Sequence, residues 1–215
     1  MCVNKKINMI VHTMTERELH KEILADGKNA LAFSERIQNK FDRKVLQTRN
    51  YPVLESHLYK SPMHNTWGVI FRADNRSQRG GKVNLILFAY YNSPNGIYAV
   101  MLIFENKKKP YLSIYTPHFF SRFAERAKID LHGVELMIRY FKYNTNYTFC
   151  GQEGQMMDKW EKEEVYGTTS EGVSLGLKLE GGTTFFKTYI THDMLKGEQV
   201  GRVGFAERYR QEMYE

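Results

Sequence analysis

The stretch Tyr111-Leu112-Ser113-Ile114-Tyr115-Thr116-Pro117-His118-Phe119-Phe120-Ser121-Arg122-Phe123-Ala124-Glu125-Arg126 carries the chain from a strand into a helix. Tyr111 to Tyr115 is a short, largely apolar run of strand character. Thr116 can cap a helix by accepting a hydrogen bond from an amide of the first turn. Pro117 suits the first helical position, where an amide proton would have no partner. This helix is predicted to run to about Lys128. A second, from about Leu131 to Lys142, carries Val134, Leu136, Met137, Ile138 and Phe141, and Gly133 near its start is tolerable.

Outward from this centre, the chain reads as hairpins. Val83 to Tyr91 is a continuous apolar and aromatic run, the pattern of a strand covered on both faces. Ser93-Pro94-Asn95-Gly96 is a turn, because proline fixes φ and Asn-Gly accepts positive φ. Ile97 to Phe104 returns as the second arm, and Trp67 to Arg72 is a further strand. The polar segment Asp74 to Lys82, with Arg76, Arg79 and Gly80-Gly81, reads as a flexible basic loop, and Lys107-Lys108-Lys109-Pro110 as another. Later, Val173, Leu175, Leu177 and Leu179 alternate with Ser174, Gly176, Lys178 and Glu180, a strand buried on one face. Gly181-Gly182 turns it into Thr184 to Ile190. Thr191-His192-Asp193 then opens a helix ending in Arg208-Tyr209-Arg210. Cys150 to Glu164 is too polar to assign.

The first third reads as helical. Thr15-Glu16-Arg17-Glu18 has the form of a capping box, Thr15 bonding the Glu18 amide while the Glu18 carboxylate reaches back. Leu19, Ile23 and Leu24 follow helical spacing up to a predicted break at Gly27. A second helix between about Asn29 and Gln47 carries Leu31, Phe33, Ile37, Phe41 and Val45. Asn50 to Asn65, with Pro52 and Pro62, reads as a linker. The sum is an α+β fold: an antiparallel sheet with helices packed on it, an N-terminal helical appendage over 1–65 and an α+β domain over 66–215.

Composition bounds the function. The 215 residues are 42% hydrophobic and 26% charged, an ordinary globular balance that excludes a disordered or collagen-like chain. Lys+Arg 31 against Asp+Glu 24 leaves +7, a mild surplus that suits a polyanionic partner but is common among soluble proteins. Cys2 and Cys150 cannot form a disulfide framework, and no Cys/His cluster has zinc-ligand spacing, so neither metal nor cofactor is expected. Asn8-Met9-Ile10-Val11 is too short for a signal peptide or a membrane span. With a mean hydropathy of −0.53, the expectation is a soluble cytoplasmic protein without membrane partners.

The chemistry-bearing candidates lie on the Thr116–Arg126 helix. His118, Arg122 and Arg126 are spaced i, i+4, i+8 and share one face, while Phe119, Phe120 and Phe123 point elsewhere and can anchor the helix. Neighbouring guanidiniums and the positive end of the helix dipole both disfavour imidazolium at His118. A free-base imidazole beside two phosphate-binding guanidiniums is the equipment of a general base acting on an anionic substrate. The plainer alternative is a solvated basic face, with Glu125 neutralising part of the charge.

This H-x-x-x-R-x-x-x-R helix, the helix after it and the late strand Phe186-Lys187-Thr188-Tyr189-Ile190 resemble the barnase/RelE-like ribonuclease superfamily, in particular its toxin-type and uncharacterised bacterial members. The similarity covers about Tyr111 to Leu195. It implies metal-independent cleavage of RNA by attack of the 2′-hydroxyl on the adjacent phosphate. His118 would move a proton, Arg122 and Arg126 would stabilise the phosphorane charge, and Thr188 or Tyr189 would position the phosphate. His192 is a second acid/base candidate near the substrate, weighed against a plain place in a helical first turn. The resemblance also allows for an inhibitor protein as partner. The contrasting reading is a non-enzymatic protein that binds nucleic acid or another polyanion through the same helix face. Elsewhere, His57 and His64 read as surface residues. Gly172 and Gly176 read as small residues in a strand rather than a phosphate loop. Phe88, Tyr90, Tyr91 and Tyr98 read as core ahead of a base-stacking platform.

Overall fold

The computed structural model describes residues 9–104, 110–144, 148–151, 163–179, 182–197, 199–201 and 203–204. Lys107 to Lys109, Cys2, Glu180, Gly181 and the predicted helix end at Arg208-Tyr209-Arg210 lie outside the described residues, as does most of the unassigned stretch from Cys150 to Glu164. The fold is α+β, with mostly antiparallel strands. Two compact units make it up, residues 1–110 and 111–215.

In the first unit a single helix α1 (Glu16–Gln47) replaces the two expected helices. Its capping box is formed: the Glu18 amide donates to Thr15 Oγ1 at 3.3 Å and the Thr15 amide to Glu18 Oε2 at 2.9 Å. The helix does not break at Gly27, because that residue is buried in the helix–sheet contact. A Cβ there would come within 2.6 Å of a Leu102 methyl and 3.6 Å of the Trp67 ring, so the missing side chain permits close approach. Four strands follow, β1 (Val53–Lys60), β2 (Thr66–Ala73), β3 (Asn84–Ser93) and β4 (Gly96–Ile103), antiparallel and in sequence order. The segment read as a linker is therefore a strand. Strand β1 pairs along its whole length with β2, from Val53 opposite Ala73 to Lys60 opposite Thr66. The helix and the β1–β2 hairpin thus belong to the same compact unit as β3 and β4, which runs to Pro110.

One buried carboxylate ties helix to hairpin. Asp26 Oδ2 accepts from Ser61 Oγ (2.7 Å), Asn65 Nδ2 (2.8 Å) and Trp67 Nε1 (2.8 Å), while Asn29 Nδ2 donates to Oδ1 (2.9 Å). Asp26 and Trp67 have no exposed surface. The basic loop over 74–82 is also fastened. The Gly80 amide donates to the Asp42 carboxylate, Gln38 Nε2 donates to the Gly80 carbonyl, and Gly80–Lys82 forms a 3-10 turn.

The second unit opens on β5 (Tyr111–Tyr115), α2 (Pro117–Arg126) and α3 (Gly133–Tyr143), close to the expected bounds. It continues through β6 (Thr148–Gly151), β7 (Glu163–Thr168), β8 (Val173–Lys178) and β9 (Thr184–Ile190), with spatial order β5-β9-β8-β7-β6. Only the β5–β9 pair is parallel among the described pairings of this unit. Helix α2 ends earlier than Lys128 because that residue takes φ 53°. The Ile129 amide then closes on the Ala124 carbonyl at 2.9 Å, a Schellman-type stop. The expected C-terminal helix does not begin at Thr191; His192–Met194 is a 3-10 turn.

Both faces of this sheet are covered. On one, Tyr115, Phe119, Phe120, Phe123, Tyr140, Phe141, Phe186 and Tyr189 form a network of aromatic pairs. Many are edge-to-face, a geometry that adds about 0.5–1.5 kcal/mol per pair beyond burial. On the other, Val173, Ile190, Tyr166 and Val203 cluster with Leu175 and Leu195. A bulge decides which residues of β9 face which side. Leu175 pairs with Thr188 but Gly176 with Phe186, so Lys187 is the extra residue. The bulge lets Phe186 and Tyr189, three apart, both face the helices.

Candidate functional site: the exposed face of α2

Helix α2 is positioned by its ends and its aromatic face. The Phe119 amide donates to Thr116 Oγ1 at 3.1 Å, the cap expected from Thr-Pro, and the Thr116 amide donates to the Phe186 carbonyl at 3.2 Å. Phe119, Phe120 and Phe123 are buried and fix the rotation of the helix. His118 consequently lies on the exposed side.

Of the expected constellation, the structure brings His118 and Arg122 together. Arg122 Nε lies 3.5 Å from His118 Nε2, and Arg122 Nη1 lies 2.7 Å from Glu125 Oε2. The Arg122 side chain is 39% exposed and that of Glu125 61%, so this pair sits in water and stabilises the fold little.

Arg126 is committed elsewhere: its Nη1 donates to the Tyr189 carbonyl, pinning the end of α2 to β9. Thr188 does not join the group either. The Tyr189 ring packs on Phe119 and Phe123, so strand alternation turns Thr188 to the opposite face, that of Ile190. Tyr189 is fully buried, which raises the pKa of its phenol, and the nearby Glu171 raises it further. That hydroxyl has no partner among the described residues. His192 is exposed, with Nε2 3.0 Å from the Thr169 carbonyl. Sequence spacing alone locates the His118–Arg122 pair; the commitments of Arg126 and Thr188 depend on a bulge and a long-range carbonyl that no local pattern encodes.

Other expectations are met in part. Phe88 is buried in the core as expected, whereas Tyr90, Tyr91 and Tyr98 are only half-buried, Tyr91 stacking on Tyr98 with ring centroids 5.3 Å apart. A Cβ at Gly172 or Gly176 would come within 2.4 or 2.5 Å of a strand carbonyl, so both need to be small. His64 is exposed in the β1–β2 turn. His57 is better tied than a surface residue, 2.8 Å from Glu55 Oε1 and edge-on to Phe33 and Phe71. Sequence reading passes over a polar cluster behind α3, where Arg139 holds Glu171 in two contacts (3.1 and 2.6 Å) and Asn144 adds a third at 2.7 Å. Among the described residues, no three His, Cys, Asp or Glu side chains group as metal ligands. No described helix is long and apolar enough to cross a membrane.

No family model matches the chain, and neither a curated protein nor a solved structure is significantly similar to it.

Proposed function

We propose that the exposed face of α2 docks the phosphate backbone of RNA, with His118 and Arg122 as the contact pair. The observation that carries this reading is their adjacency on the solvent side of a helix whose other face is locked by phenylalanines. A guanidinium offers five donors in a planar fork, and among the described residues two contacts engage it. The surplus of +7 charges adds long-range attraction for a polyanion.

Cleavage of the bound strand is the second reading, favoured by one feature: an exposed imidazole stands beside a guanidinium, His118 Nε2 lying 3.5 Å from Arg122 Nε. A free-base imidazole can take the proton of a ribose 2′-hydroxyl as its oxygen attacks phosphorus. The bond to the 5′-oxygen of the next nucleotide then breaks, leaving a 2′,3′-cyclic phosphate and a 5′-hydroxyl that receives a proton. Arg122 would stabilise the charge gathering on the phosphoryl oxygens. Without Arg126 and Thr188 in the group, docking accounts for more of the geometry than catalysis does.

One experiment addresses both. Full-length protein is titrated with fluorescent single-stranded RNA at several salt concentrations, and the same RNA is analysed for cyclic phosphate ends. Docking predicts that Arg122→Ala weakens binding and lowers the salt slope by about one phosphate contact. Cleavage predicts cyclic ends that vanish in His118→Ala. RNA left intact and bound equally by both variants removes the two readings together.

A further inference from the structure

A cleft of about 230 Å³ in the first unit lies between the segment 9–12, the β1–β2 turn and the end of β3. Among the side chains lining it are His12, His64, Thr66, Tyr90 and Asn92. Among the described residues, none of these five side chains has a hydrogen-bond partner. His12, His64 and Asn92 are exposed at the rim, while Ile10 is buried and Tyr90 and Tyr91 are half-buried, so apolar and aromatic walls meet a few polar groups, as in small-molecule sites.

The cleft is built rather than incidental. Buried Asp26 holds Asn65, and Asn65 Oδ1 accepts from the Ile10 amide at 2.8 Å, so the wall formed by 9–12 is tied through Asn65 to α1. At the mouth, His64 has φ 64°, a left-handed backbone that costs a non-glycine residue free energy. Such strain gathers where a side chain is held for use. Tyr91, also in the lining, has its phenol pKa pushed up to about 12 by burial and by the neighbouring Tyr98.

We propose that this cleft binds one uncharged, planar nitrogen heterocycle of nucleobase size, flat against Tyr90 and hydrogen-bonded at its edge by His64, His12 and Asn92. Charge argues against an ion: among the described residues, neither lysine nor arginine nor carboxylate lines the cleft. Size argues for a single ring system. At about 230 Å³ the cleft is smaller than the roughly 300–1,000 Å³ of sites for drug-sized ligands. Chemistry supplies the rest, since base edges are read by such donor and acceptor groups and base faces stack on tyrosine. The inference does not rest on RNA docking at α2, which lies in the other unit.

Calorimetric titration of the full-length protein with adenine, cytosine, uracil and guanosine, each free of phosphate, is the test. Saturable one-to-one binding of at least one is expected, weakened about tenfold or more in His64→Gly and in Tyr90→Leu. Glycine accepts the left-handed backbone at position 64, so His64→Gly should melt no lower than the wild type while losing affinity. A parallel titration with a trinucleotide distinguishes a free base from one presented on a strand; a tighter trinucleotide that still depends on His64 supports the site. No saturable binding of any probe up to about 1 mM overturns the proposal. Affinities untouched by both substitutions, or ribose 5-phosphate bound as tightly as the bases, overturn it as well.

Discussion

Arg122 is held between an imidazole and a carboxylate, so if α2 docks RNA as proposed, a phosphate must compete with partners on the same helix. Glu125 contacts one guanidinium nitrogen at 2.7 Å in an exposed setting. Such a pair is worth about 0–1 kcal/mol. A phosphate offering two oxygens to the same fork can displace it. Glu125→Gln should therefore tighten RNA binding a few-fold and steepen its salt dependence, the reverse of Arg122→Ala. Salt-dependent anisotropy measures both, and an unchanged slope in Glu125→Gln would show that the carboxylate does not compete. A second residue-scale expectation concerns pH. Burial alone would raise the Glu55 carboxyl, but hydrogen bonds from Lys44 and His57 outweigh that and leave its pKa below the ordinary 4.5. A carboxylate with a lowered folded pKa stabilises the fold above its unfolded value and loses that contribution as pH falls through the folded one. Melting temperatures followed downward from about pH 5 should accordingly fall more steeply for the wild type than for Glu55→Gln. Equal slopes would mean that the Lys44–Glu55–His57 cluster contributes nothing.

Among the elements, α1 and its hairpin depend on one side chain. Removing the Asp26 carboxylate strands three buried donors, from Ser61, Asn65 and Trp67. Each costs about 1–3 kcal/mol when left unsatisfied. Partial relaxation and water entry temper the sum, so Asp26→Ala should cost roughly 3–5 kcal/mol in urea unfolding. A loss below about 1 kcal/mol would mean that hydrophobic contact alone seats the helix. Asp26 also shows where sequence reading stops. Strands β2 to β5 and helix α2 are legible because apolar runs, a Pro-Asn turn and a Thr-Pro cap are local signals. Strand β1 is not: Glu55, Ser56, His57 and Lys60 leave no clean alternation, and it forms because β2 offers an edge along its length. Gly27 reads as a stop in isolation, and only the closeness of Leu102 and Trp67 explains a glycine in mid-helix. At α2 the His118–Arg122 pair follows from spacing, whereas Arg126 and Thr188 are decided by β9, far along the chain.

For the molecule as a whole, the connectivity of the two units predicts different folding behaviour. In residues 1–110 each strand pairs with the next in sequence, and α1 packs on the sheet that directly follows it. The second unit is closed by the parallel pairing of β5 with β9, Ser113 opposite Thr184, so two strands distant in sequence must meet. Loop closure over that separation costs entropy before any contact repays it, whereas hairpin pairing closes only short loops. The first unit also holds its own buried core, including Ile23, Ala30, Phe41, Trp67, Val69, Phe71 and Leu87, and its own polar anchor at Asp26. Expressed alone, residues 1–110 should therefore fold, giving dispersed amide resonances, helical far-UV dichroism and a cooperative urea transition. Every partner of the Asp26 carboxylate lies within this fragment. Asp26→Ala should then destabilise it by the same roughly 3–5 kcal/mol as in the full chain. A fragment without cooperative unfolding, or one indifferent to Asp26→Ala, would mean that residues beyond 110 supply what holds α1 on its sheet.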